Sequence, residues 1–168
     1  MIRIVTLLGL SLLLASCGLQ PLYSGGSTGA VATTLGSVSV EPIVGKSGWL
    51  MRNALTDRLA ASGTDTPRYR LVVVLDDDIE GFGVRANDTI TRERRTLRAR
   101  YQLIENATGT TVVDATAGSD AGIDVVGSEY ATIAGENSAL ENLSQRVADQ
   151  IITRLSLYAR QAAPIPAE

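Results

Sequence analysis

From Thr89 to Ile104 polar and apolar side chains alternate over most of the run, and this pattern limits the chain's folding more than any other. A period of two belongs to a β-strand with one wet face and one dry face. One set holds Ile90, Arg92, Arg94, Thr96, Arg98, Arg100 and Gln102. The other holds Leu97, Ala99, Tyr101 and Leu103, with Glu93 and Arg95 nearer the start. The second set has to pack under an apolar layer. Asn106–Gly109 is a turn signal, and Thr110–Ala117 reads as the return strand of a hairpin. The glycine-rich stretch Gly118–Gly127 is expected to extend that strand irregularly.

The rest of the pattern supplies the layer. Leu35–Ile43 reads as a first strand ended by Pro42. Ser47 is placed to cap a helix over about Gly48–Ala61, where Met51, Leu55 and Leu59 recur at four-residue spacing. Tyr69–Ile79 holds the β-forming run Leu71-Val72-Val73-Val74-Leu75, and Glu80–Asn87, with Gly81 and Gly83, reads as a loop. Ser128 is placed to cap a long helix reaching about Arg160, in which Leu140, Leu143, Val147, Ile151, Leu155 and Tyr158 share a face. Gly135 weakens its first turns. The order βαβββα predicts an α+β, two-layer domain: a four-stranded, mainly antiparallel sheet with two helices packed on one face.

Before this domain stands a different kind of segment. Arg3 precedes an apolar stretch of 11 residues, Ile4–Leu14, which is too short for a membrane-spanning helix of about 20 residues. Leu14-Ala15-Ser16-Cys17 resembles the lipobox of bacterial lipoproteins. That resemblance implies cleavage before Cys17, a diacylglycerol on its sulfur and an acylated N-terminus. Gly18, where an aspartate would favour the inner membrane, then implies the outer membrane, at its periplasmic face. Each buried methylene contributes about 0.8 kcal/mol, so two or three chains hold firmly. The domain scheme is therefore a signal peptide at 1–16, a lipidated start and flexible tether at 17–34, the α+β domain at 35–161 and a disordered tail at 162–168. The tether, rich in Gly, Ser and Thr, reaches on the order of 20–25 Å.

Composition removes whole classes of chemistry. The chain has no histidine and one cysteine, which the anchor consumes. Intrachain disulfides, histidine triads and His- or Cys-ligated zinc sites are excluded. The formal charge of −3 does not suggest a nucleic-acid partner. Asp76-Asp77-Asp78 lacks a calcium-loop pattern, and alternation splits it between faces. Lys46, the one lysine, has no residue beside it in sequence that would make it catalytic. Trp49 is expected as a core or boundary anchor. No cofactor, metal or catalytic residue is expected, apart from the acyl modification at Cys17.

Cys17-Gly18-Leu19-Gln20-Pro21-Leu22-Tyr23 resembles the opening of the lipopolysaccharide-assembly lipoprotein family LptE. The element order and the final helix, from Ser128-Glu129-Tyr130-Ala131 to Leu155-Ser156-Leu157-Tyr158, resemble that family's domain. The resemblance implies a non-enzymatic outer-membrane lipoprotein. Such a protein plugs and helps assemble an LptD-type β-barrel, takes part in inserting lipopolysaccharide into the outer leaflet, and binds lipopolysaccharide itself.

The alternating strand offers a site for such a ligand. Arg92, Arg94, Arg98 and Arg100 fall on one face and span roughly 27 Å. Guanidinium forks hold phosphate with paired hydrogen bonds. Three readings stay open: phosphate binding, contact with an acidic barrel wall, and a solvated face whose arginines pair with Asp76, Asp78 or Asp114. Two other functions are compatible with the chain, an auxiliary lipoprotein of an ABC-type lipid exporter and a cell-wall hydrolase or its activator.

Overall fold

The computed structural model describes residues 29–59, 67–84 and 90–162. In chain order these form α1 (Ala30–Gly36), β1 (Val38–Val40), α2 (Gly45–Leu59), β2 (Tyr69–Val84), β3 (Ile90–Glu105), β4 (Thr111–Asp124) and α3 (Glu129–Ala162). The strands make one sheet in the order β1-β2-β3-β4. β1 runs parallel to β2, and the other neighbours are antiparallel. This is the expected α+β sheet, with one helix more than the sequence led us to expect.

The dry face of β3 is the floor of the core. Leu97, Ala99, Tyr101 and Leu103 are buried, beside Leu71 and Val73 of β2 and Val113 of β4. Met51, Ala54, Leu55 and Leu59 of α2 and Leu140, Leu143, Val147, Ile151 and Leu155 of α3 join the same core cluster. Each fully buried Leu or Ile contributes about 2 kcal/mol relative to exposure. Tyr69 and Tyr158 meet edge to face at 6.3 Å and close the end of the core near β1.

Several expectations change. Leu35 does not begin a strand. Val31 and Leu35, four apart, bury one face of α1 and pack on α3, so the extended pairing is left to Val38–Val40. Residues 30–34, expected in the tether, are therefore part of the folded domain. The signal peptide at 1–16, Cys17 and the tether positions up to 28 lie outside the described residues, as do 163–168 of the expected tail, whose first residue, Ala162, ends α3.

α2 starts at Gly45, with φ of +85°, and Ser47 lies inside its first turn. Gly48 makes that start possible. A Cβ there would sit 2.5 Å from the Ile43 carbonyl oxygen, so only glycine lets the incoming chain lie against the helix. Trp49 is 63% exposed rather than in the core, because it sits two residues from Met51 and faces away from the Met51–Leu55–Leu59 stripe.

Of the expected loop Glu80–Asn87, residues 80–84 are strand instead, and 85–87 lie outside the described residues. Glu80, Gly81 and Phe82 pair with Arg94, Glu93 and Arg92, and β2 runs on to Val84. Gly83 takes φ of +79°, and the Thr91 hydroxyl donates to its carbonyl at 2.7 Å. β4 continues unbroken through its glycines to Asp124. Ser128 does cap α3, its hydroxyl accepting from the Ala131 N–H at 3.4 Å. Gly135 does not break the helix, and its bare Cα lets α3 settle on Ile123.

Candidate functional site

The uncovered face of the sheet carries the arginines. Its residues follow from register: Arg92, Arg94, Thr96, Arg98, Arg100 and Gln102 on β3 lie between two flanking rows. On β2 the row includes Val74, Asp76, Asp78, Glu80 and Phe82, and on β4 it includes Asp114, Thr116, Gly118, Asp120 and Asp124. The four arginines identified from sequence do share this face and are exposed. They do not form a uniform cationic surface. A basic row runs between two acidic rows, and cross-strand neighbours at such spacing interact directly.

The four arginines differ in what they touch. Arg92 Nε donates to Asp124 Oδ1 at 2.9 Å, and Arg100 donates to Asp114 Oδ2 at 3.2 Å. Gln102 Nε2 donates to the same Asp114 oxygen at 2.9 Å. These bonds, Gln102's first and Arg100's second, hold the Asp114 carboxyl below the usual carboxylate range. Arg94 lies over the Phe82 ring, 5.3 Å from its centroid, and makes no ion pair among the described residues. A cation–π contact of this kind uses the charge and spends none of the guanidinium N–H donors. Arg98 faces Asp76 across the ladder and makes no ion pair among the described residues.

A groove of about 560 Å³ opens beside Arg98, with Val74, Asp76, Thr96, Arg100 and Asp120 in its lining. Of the expected acidic partners, Asp114 is met by Arg100, while Arg92 pairs with Asp124 instead. Arg94 and Arg98, about 14 Å apart along the strand, make no ion pair among the described residues and keep exposed donors. Among the described residues no group of three or more Asp, Glu or Cys stands where it could hold a metal. Lys46 is used structurally, its ammonium donating to Asn137 of α3 at 2.5 Å.

Sequence reasoning missed Arg95. It sits on the covered face with the opposite parity and binds Asp77 through two hydrogen bonds of 2.7 Å each. Its third contact, at 3.0 Å, goes to the Glu136 carbonyl of α3. The two side chains are only 12% and 18% exposed. The Asp77 bond raises the guanidinium's affinity for its proton, against the opposing effect of burial. The signal was the charge parity: Asp77 shares a face with Leu75, and Arg95 with Leu97, so both had to be paired or costly.

Phe82 was missed too, because it fell in the supposed loop. At the opposite end of the sheet, Arg68 donates to Glu105 at 3.0 Å and lies 5.1 Å from the Tyr69 ring centroid. Bonds from Arg68 and Thr108 hold the Glu105 carboxyl below its ordinary range.

With this geometry in hand, the chain can be set beside known proteins. The LptE family model, described as lipopolysaccharide-assembly, matches residues 35–155. Three solved structures share the fold. A lipoprotein from Caulobacter crescentus is 22% identical, with a TM-score of 0.68 over 82% of this chain and 100% of that one. A minor lipoprotein from Acinetobacter baumannii is 16% identical, with a TM-score of 0.59 over 76% and 96%. Rare lipoprotein B from Shewanella oneidensis is 10% identical, with a TM-score of 0.58 over 74% and 95%. A comparison with curated proteins gives no match.

Proposed function

The chain belongs to the lipopolysaccharide-assembly family LptE, and from that premise we propose that it is an outer-membrane lipoprotein that plugs an LptD-type barrel and guides lipopolysaccharide through it. Acylated Cys17 holds the protein at the periplasmic face of the outer membrane. The α+β domain enters the barrel from the periplasm. Arg94 and Arg98 then meet phosphate groups of lipopolysaccharide, while Arg92 and Arg100 stay engaged with Asp124 and Asp114.

The single observation that carries this reading is the family match over nearly the whole folded domain. The arrangement of the open face supports the ligand part. Two guanidinium groups present unused donors on a rigid strand flanked by carboxylates. The flanking acids discourage bulk anions, so a ligand has to gain from both arginines at once to compete. The family match favours this function over the exporter accessory and the cell-wall hydrolase.

Purification of the tagged full chain from its host in mild detergent tests the proposal. A large outer-membrane barrel protein is expected to co-purify in a fixed ratio. Recovery of the lipoprotein alone, or with ATPase subunits, would overturn the plug.

A further inference from the structure

β4 is the outer strand of the sheet. Along a strand, the backbone N–H and C=O of alternate residues point to the same side. Gly118 shows which side is which here. Its N–H donates to Gln150 Oε1 at 3.2 Å, and its carbonyl accepts from Gln150 Nε2 at 3.2 Å. Both groups therefore point away from β3. By alternation Asp114, Thr116, Asp120, Gly122 and Asp124 also turn their backbone groups outward. Among the described residues none of these five has a backbone partner on that side, and all are exposed.

Soluble proteins usually blunt such an edge with proline, lysine, a bulge or a very short strand. β4 is 14 residues long and has no proline and no basic residue. Between Ala115 and Ser119 every side chain is small, which lets another backbone come close. The Gln150 carboxamide gives Gly118 one donor and one acceptor, which is what an adjoining strand would give.

We propose that β4 is a docking edge for an extended segment of a partner chain that carries basic side chains at alternate positions. Charge selects this occupant. The charged residues of β4 are Asp114, Asp120 and Asp124, all on the open face; Asp114 accepts from Arg100 and Asp124 from Arg92, each through one oxygen, and Asp120 makes no ion pair among the described residues. A strand added about 4.8 Å away would place its own open-face side chains beside them. A second copy is disfavoured. Two β4 edges would set aspartate against aspartate, and β2 beyond Leu71, which β1 leaves unpaired, carries Asp76, Asp78 and Glu80. The outward backbone groups of β4 lie outside the arginine row, which shares only Asp114 and Asp124 with it, and the inference does not depend on the lipopolysaccharide reading.

Hydrogen exchange on the full chain in mild detergent tests it. The probe is a synthetic peptide of about twelve residues alternating valine and lysine, with a valine–glutamate peptide as its counterpart. The lysine peptide is expected to slow exchange at Thr116, Asp120 and Gly122 by about tenfold or more, and the glutamate peptide to leave it unchanged. Thr116→Pro with Asp120→Pro removes only outward N–H groups and spares the ladder to β3, and it should abolish the slowing at Gly122. Asp120→Lys leaves the backbone intact and should weaken the lysine peptide several-fold. No slowing with the lysine peptide would overturn the proposal. So would equal slowing by the glutamate peptide, binding that survives both sets of substitutions, or slowing that rises with protein concentration in the absence of peptide.

Discussion

The two faces of β3 share one backbone and obey different rules. On the covered face Leu97, Ala99, Tyr101 and Leu103 are shielded almost completely, and what matters there is volume and apolar area. On the open face Arg92, Arg94, Arg98 and Arg100 stay in water, and what matters there is which residue of β2 or β4 the register sets opposite. The covered face makes the domain stable. The open face decides which charges are already paired and which make no ion pair among the described residues.

Substitution at adjacent residues breaks the comparison most sharply. Leu97→Ala is expected to cost about 3 kcal/mol, as lost burial plus a cavity, while Arg98→Ala should change stability by less than about 0.5 kcal/mol. Urea unfolding of the two variants measures the difference, and similar midpoints would erase it.

Arg95 sharpens the same contrast, as a charged residue on the wrong face that is tolerated because Asp77 and the Glu136 carbonyl receive it. Asp77→Ala leaves that half-buried guanidinium without its carboxylate and is expected to cost about 2 kcal/mol. Faster exchange should follow in residues 129–138 of α3, whose Glu136 carbonyl Arg95 holds. An unaltered helix start would show that the pair does not tie sheet to helix.

The smallest expected effect is in pH. Asp114 and Glu105 have lowered pKa values, so their contribution is present above the ordinary carboxylate range and is lost as pH falls through the lowered values, below about pH 4. Burial raises the Tyr101 pKa above 10.0, and burial with a hydrogen bond to Tyr69 raises that of Tyr158. The stability of these neutral phenols is present below pH 10 and is lost as pH rises through the raised values. The chain has no histidine to titrate in between. The unfolding midpoint should be flat from about pH 5.5 to 9 and fall on both sides. A step near pH 6.5 would contradict this.

Much of the fold was legible because strand parity is a local property. The alternation of Leu97 and Arg98 states which face is covered whatever the rest of the chain does. The helix faces of Met51–Leu55–Leu59 and Leu140–Leu155 were legible for the same reason. α1 was not, since Val31 and Leu35 are two apolar residues in a run of Gly, Ser, Thr and Ala and gain their helix only by packing on α3. The extension of β2 past Gly81 and Gly83 was hidden too, because glycine signals a turn unless a partner strand is already in place. In the candidate site the four arginines were legible as a row, and their partners were not. Whether Arg94 meets the Phe82 ring or Arg92 meets Asp124 depends on register between strands, which no single strand's pattern contains.

Direct titration of lipopolysaccharide onto the purified full chain and onto its Arg94→Glu, Arg98→Glu double variant is the most telling measurement. Both side chains lie in water and make no ion pair among the described residues, so the variant should melt within a few degrees of the parent. Its affinity for lipopolysaccharide should fall by about tenfold or more, and the parent's binding should weaken as salt rises. Equal affinity in a variant that melts like the parent would contradict the assignment of the open face to ligand binding.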